Sequence, residues 1–135
     1  MTNNILRRLP AIAVIIGISV LSGLPGNDPL LNAFKFSDKI KHIIAYFVLG
    51  LSFCMWVENK KWFARPFAWG ILIVVLCTLF GIADEYHQSF IPGRSGNDLG
   101  DIIADFIGGL ISPFVYFFVI RKFHGIVSAS AGYGK

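Results

Sequence analysis

Four runs of apolar residues, Leu9 to Leu24, Ile40 to Val57, Phe67 to Ala83 and Leu99 to Ile120, constrain this chain more than any other feature. Each approaches the ~20 residues that cross a ~30 Å hydrocarbon layer at ~1.5 Å rise per residue. Open strand edges are not tolerated in lipid, and none of the runs alternates like a ~10-residue barrel strand. The sequence therefore predicts an all-α polytopic membrane protein, four transmembrane helices in one small bundle, with a flexible tail at 123–135. The composition agrees: 55% of the 135 residues are hydrophobic and 15% charged, against about a quarter charged in soluble domains. The first run is the shortest and must rely on local thinning of the bilayer or on the stems of Arg7 and Arg8 reaching to the interface. A rival reading of it is a secretory signal peptide, because two arginines precede "LPAIAVIIGISVLSG". Against that, no clear A-x-A site follows, nor anything soluble to be secreted.

Lysine and arginine sort by side. The N-terminus, second loop and C-terminus carry Arg7, Arg8, Lys60, Lys61, Arg65, Arg121, Lys122 and Lys135, whereas the first and third loops carry Lys35, Lys39, Lys41 and Arg94. The positive-inside rule then predicts both termini in the cytoplasm and the third loop outside. Trp56, Trp62 and Trp69 flank the second loop, as an indole belt at the inner interface would. Cys54 and Cys77 should differ in depth by roughly 10 Å, beyond the ~7 Å limit of a disulfide, so they read as apolar packing residues. The net charge of +4 is this cytoplasmic bias and not a basic groove, which argues against a nucleic-acid partner.

The polar residues form stripes. Ser37 is a candidate N-cap for a helix on which Asp38, His42 and Tyr46 recur every four residues and share a face. Asp98, Asp101 and Asp105 form a second stripe, beside Ala104, Gly108 and Ser112, the small-residue repeat that lets membrane helices approach closely. A third helix ends in "GIADEYHQ", where Asp84 and Glu85 meet the negative end of the helix dipole at a cost of ~0.3–1 kcal/mol. Something must hold them there. Arg94, folded back by the Pro92-Gly93 turn, is the first candidate, and Lys39 and His42 are the others. Asp38, His42, Asp84, Glu85, Gln88, Arg94, Asp101 and Asp105 should converge at one end of the bundle.

These residues carry a resemblance. "DKIKHIIAYFVLG" followed by "DEYHQSFIPGRSGNDLGDIIADFIGG" resembles the VanZ-like family of small bacterial membrane proteins. Its pattern is an Asp-Lys-x-x-His helix start, an Asp-Glu-x-x-Gln-x-Phe-x-Pro-x-Arg loop, and an Asp-x-x-x-Asn-x-x-Gly helix. Asp38, Lys39, His42, Asp84, Glu85, Gln88, Phe90, Pro92, Arg94, Asp101 and Gly108 fall on it, and Asp105 stands where the family more often has Asn. The resemblance implies a multi-pass protein of the bacterial cytoplasmic (inner) membrane. It also implies a link to the envelope, since the family's named member is associated with resistance to the glycopeptide teicoplanin.

Each residue has a plainer reading. Asp98 and Asp101 can simply cap a helix, and His42 can be an interhelical hydrogen bonder. Tyr46 reads as packing, His87 as a solvated side chain and His124 as part of the tail. Asp84, Glu85 and Asp105 are harder to dismiss, because an ionisable group at membrane depth costs several kcal/mol (~2.5–3.5 on insertion scales) unless paired. A structural ion-pair network with Lys39 and Arg94 is the alternative for them. Three functions fit the set. Asp38, Lys39, Gln88, Arg94, Asp101 and Asp105 could bind an envelope lipid headgroup, a cell-wall precursor or a glycopeptide. An enzyme could use Glu85 or Asp84 as base, His42 as acid or shuttle and Arg94 to stabilise negative charge. The carboxylates could also hold Ca²⁺ or Mg²⁺, although the sequence requires no cofactor. A transport path needs more than four short helices and hence an oligomer.

Overall fold

The computed structural model describes residues 5–33 and 36–132, with side chains of the last helix described as far as Lys122. Among the described residues the helices run in order α1 (Leu9–Ser22), α2 (Pro29–Asn32), α3 (Asp38–Trp56), α4 (Asn59–Ala64), α5 (Pro66–Gln88) and α6 (Leu99–Gly132). There is no strand among the described residues. Helices α3, α5 and the Leu99–Lys122 part of α6 are long and apolar enough to cross a membrane, and α1 is a shorter apolar helix. The chain is thus an all-α polytopic membrane bundle. Proline stands in the first turn of α1, α2 and α5, where its missing N–H leaves no hydrogen bond unmade.

Hydropathy misjudges where helices end. Helix α5 continues past Ala83 through the polar "DEYHQ", where Asp84, Glu85 and Gln88 find partners on other elements, as set out below. Helix α6 carries on to Gly132, through much of the segment expected as a tail.

Contacts at the two ends fix how the helices alternate. Arg8, before α1, lies 6.0 Å over the ring of Trp56 at the end of α3. At the other end of α1, Ser22 bonds Asp84 near the end of α5, and the Gly26 N–H donates to the Pro92 carbonyl (3.0 Å). The first and third loops therefore share one end and the second loop lies at the other. Helix α1 runs between these levels, antiparallel to α3.

The bundle closes along a seam of small residues. Helix α3 packs most extensively on α6, and α6 next on α5. A Cβ at Gly108 would meet main-chain atoms of α3, the Ile43 carbonyl first and then Phe47 N at 2.8 Å, so the two backbones touch there. One turn on, Ser112 abuts Gly50, and Gly109 lies against Cys77. Ser112 has a second task. Pro113 lacks the N–H that would reach the Gly109 carbonyl, and the Ser112 hydroxyl donates to that oxygen instead (2.9 Å).

Trp62 corrects the expectation of an indole belt. It is 1% exposed, packs on Tyr116 and Phe117, and donates through Nε1 to the Cys54 carbonyl (3.1 Å), filling the core under the second loop. Cys54 and Cys77 are free and buried in that core, as expected of packing residues. Ile12, Ile16 and Val20 on α1, Val75 and Leu79 on α5, and Phe114 and Phe118 on α6 are exposed, an apolar exterior suited to lipid.

Candidate functional site

The polar stripes of α3, α5 and α6 meet at the end shared by the first and third loops, together with Ser22 of α1. Two sets of contacts can be separated there: one locks the helix ends, and the other lines a cleft.

Glu85 is the centre of the lock. Its main-chain carbonyl accepts the Asn97 N–H (3.2 Å), and its Oε2 accepts the next amide, Asp98 N–H (2.9 Å). The residue that looks misplaced at a helix C-terminus thus holds the start of α6, where backbone N–H groups lack helical partners. Asp98 caps the same helix by accepting from Gly100 N–H (2.7 Å). Lys39 of α3 completes the lock, with Nζ at 2.6 Å from Asp98 and 2.7 Å from the buried Asp101. This ammonium beside Asp98 holds its carboxyl below the ordinary carboxylate range.

The loop that follows α5 is set by backbone chemistry. Arg94 N–H returns to the Ile91 carbonyl (3.2 Å), and Gly93 has φ +75°. Proline at the first central position and a positive-φ glycine at the second make a type II turn. Its Pro92 carbonyl takes the Gly26 N–H, tying the first loop to the third. Asn97, at φ 65°, turns the chain into α6.

A cleft of about 120 Å³ opens beside this lock. Its polar lining is Ser22, Asp38, Lys41, His42, Asp84, Gln88 and Arg94, and its apolar wall is Ile18, Leu21, Leu31, Ala45 and Tyr46. Asp84 Oδ2 accepts from Ser22 Oγ (2.8 Å) and Gln88 Nε2 (3.1 Å). Arg94 donates to Gln88 Oε1 through Nε (3.1 Å) and Nη2 (2.6 Å). The guanidinium therefore steadies Asp84 through the Gln88 amide and does not pair with it directly. His42 Nδ1 is 2.9 Å from Oδ1 of Asp105, which is fully buried behind it, and the ring stacks parallel to Tyr46 at 6.4 Å. Asp105 itself lies against Gly81 of α5, where a side chain would not fit.

All nine residues singled out in the sequence thus reach this end, in different roles. Asp38, His42, Asp84, Gln88 and Arg94 line the cleft, Asp105 lies behind His42, and Glu85, Lys39 and Asp101 belong to the lock. The sequence reading missed Ser22 and took Lys41 only as a topology charge. A hydroxyl at the end of the apolar "VLSG", one turn after Ser19, was the available signal for Ser22.

Asp38, His42 and Asp101 bring potential ligand atoms within 4.8 Å of one another, a donor set that suits a divalent cation. Lys39 Nζ already supplies positive charge to Asp101 at 2.7 Å, so a metal there would compete with it. Tyr46 Oη, Glu85 Oε1 and Asp105 Oδ2 are buried with no hydrogen-bond partner among the described residues. Each such atom costs about 1–3 kcal/mol, and stability surrendered in one place is characteristic of functional sites.

A family model described as VanZ/LLP1 matches residues 4–121. No curated protein and no solved structure gives a significant match.

Proposed function

This chain belongs to the VanZ/LLP1 family, and we propose that it holds a small polar envelope ligand in the cleft between α1, α3 and α5. Through that contact it alters access to cell-wall precursors and so the susceptibility of the cell to glycopeptides such as teicoplanin. The observation that carries the reading is the lining of the cleft: carboxylates (Asp38, Asp84), cations (Lys41, Arg94) and an imidazole (His42) face one volume with an apolar wall. Amines and hydroxyls suit the carboxylates, and phosphate or carboxylate suits Arg94. The size of the cleft, about 120 Å³, narrows the choice. Sites for drug-sized ligands run to roughly 300–1,000 Å³, so this one suits a lipid headgroup or the end of a wall precursor better than a whole antibiotic. An outer-side cleft with both termini in the cytoplasm is part of this proposal, supported by the sorting of lysine and arginine between the two ends.

A second reading rests on the His42–Asp105 contact. A carboxylate on Nδ1 orients an imidazole and leaves Nε2 as the basic nitrogen, the arrangement of a general base. With Asp84 and Arg94 in the same cleft, a lipid-linked or peptidoglycan substrate could be modified there. Glu85 has less claim to that role, because Asp98 N–H occupies one of its oxygens and the residue is 1% exposed.

The test is teicoplanin susceptibility of a sensitive bacterium expressing the parent, Asp84→Asn, Arg94→Gln or the control Tyr86→Ala, matched for membrane level. The parent and control should protect and the two cleft variants should not. Equal protection by all four rejects the cleft. His42→Gln separates the readings, since an enzyme loses all activity with it and a binding site keeps part.

A further inference from the structure

The opposite end of the bundle carries a second concavity with different chemistry. A groove of about 210 Å³ runs between the start of α1, the end of α3 and the first turns of α5, lined by Arg8, Phe53, Trp56, Lys61, Trp69 and Leu76, among others. Its floor is apolar, with Ile73 and Val57 buried beneath, and Leu72 and Leu76 on its side are about half exposed. Arg8 stands over the Trp56 ring at one edge. Lys61 projects from α4, whose Trp62 anchors it in the core.

Charge distinguishes this end from the other. Arg7, Arg8, Lys60, Lys61, Arg65, Arg121 and Lys122 gather here, with Glu58 as the one acidic side chain. Every ion pair among the described residues lies at the cleft end instead: Lys39 with Asp98 and Asp101, Lys41 with Asp38, and His42 with Asp105. The cations around the groove therefore keep their charge available. An occupant must be anionic where it meets Arg8 and Lys61, and hydrocarbon where it meets Phe53, Leu72 and Leu76. Soluble phosphate satisfies only the first requirement.

We propose that this groove binds one anionic glycerophospholipid, its phosphate between Arg8 and Lys61 and its acyl chains along Phe53, Leu72 and Leu76. At about 210 Å³ the groove takes the phosphate and the glycerol beside it, and the chains leave along the exposed face of α5. Basic pockets between membrane helices on the cytoplasmic side recognise anionic headgroups in this manner. The site is independent of the cleft, and either can fail without the other.

The test uses the full chain purified in an uncharged detergent. Phosphatidylglycerol, phosphatidylcholine of the same chains, and inorganic phosphate are titrated in turn, with bound lipid read by native mass spectrometry and the unfolding midpoint in parallel. Phosphatidylglycerol should be retained about tenfold more tightly than phosphatidylcholine, and inorganic phosphate should not displace it. Arg8→Gln with Lys61→Gln should abolish the preference, and Arg121→Gln with Lys122→Gln, at the same end but off the groove, should leave it intact. Lys61→Gln alone, at an exposed position on α4, should weaken the preference severalfold and serves if the double variant does not fold. Three results overturn the proposal: equal retention of the two lipids, equal loss in groove and control variants (a diffuse charge effect), or displacement by inorganic phosphate (a soluble-anion site).

Discussion

Replacing Gly108 by alanine probes the point where α6 touches the backbone of α3. The added Cβ would lie 2.8 Å from Phe47 N and closer still to the Ile43 carbonyl oxygen. Main-chain atoms inside a helix cannot rotate away, so the helices must part. Reaching ordinary contact at 3.4 Å from Phe47 N requires a retreat of about 0.6 Å, and clearing the carbonyl requires more. Overpacking of this kind costs about 1–3 kcal/mol. The displacement is also large enough to matter at the site: Asp105 lies one turn before Gly108, and its 2.9 Å contact with His42 would stretch beyond about 3.5 Å, past the limit of a hydrogen bond. Gly17→Ala is the control, since a Cβ there meets nothing within 4 Å and alanine in a helix is favoured over glycine by about 0.5–1 kcal/mol. Unfolding in detergent, followed by tryptophan fluorescence, should show Gly108→Ala melting several degrees below the parent and Gly17→Ala at or above it. Equal midpoints for the two variants would refute the backbone contact at Gly108.

Other perturbations read separate parts of the structure. Lys39→Gln removes the cation that lowers the Asp98 carboxyl. That pair contributes fully above the ordinary carboxylate range and loses its contribution as pH falls through the lowered value, so the variant's melting deficit should be largest near neutrality and shrink below about pH 4. A deficit independent of pH would mean that the pair does not hold α6. Ser112→Ala should cost about 0.6–1.7 kcal/mol by leaving the Gly109 carbonyl unpaired. In a Pro113→Ala background, where an N–H returns, that cost should shrink, and a double-mutant cycle with no coupling would show that the hydroxyl does not replace the missing N–H.

Much of this architecture was legible in the sequence, because in lipid the length of an apolar run and the spacing of its polar interruptions leave few alternatives. The Asp38–His42–Tyr46 and Asp101–Asp105 stripes do face one another, and the Ala104–Gly108–Ser112 repeat lies in the packing seam. What pattern could not supply was the pairing. Charge alone assigned Arg94 to Asp84 or Glu85, yet the guanidinium reaches Gln88, and Glu85 is held by backbone amides that no side-chain inventory displays. Ser22 was invisible for the same reason, since one hydroxyl in an apolar helix gains meaning only when the fold brings Asp84 to it. The apolar run stops at Ala83, yet α5 runs on to Gln88, as the reading of a helix ending in "GIADEYHQ" anticipates; hydropathy alone does not register the polar last turn, whose Asp84 and Gln88 find partners only in the fold.

The central claim, that the chain meets its ligand in the cleft beside His42 and Asp84, is tested most directly by filling that space. Ala45 forms part of its wall and is half buried. Ala45→Phe puts a ring into the cleft and leaves every polar residue of the lining in place. Teicoplanin susceptibility should then match that of cells lacking the chain, while membrane level stays at the parent value and the melting midpoint within a few degrees of it. Protection equal to the parent's, from a folded protein with its cleft filled, would contradict the account.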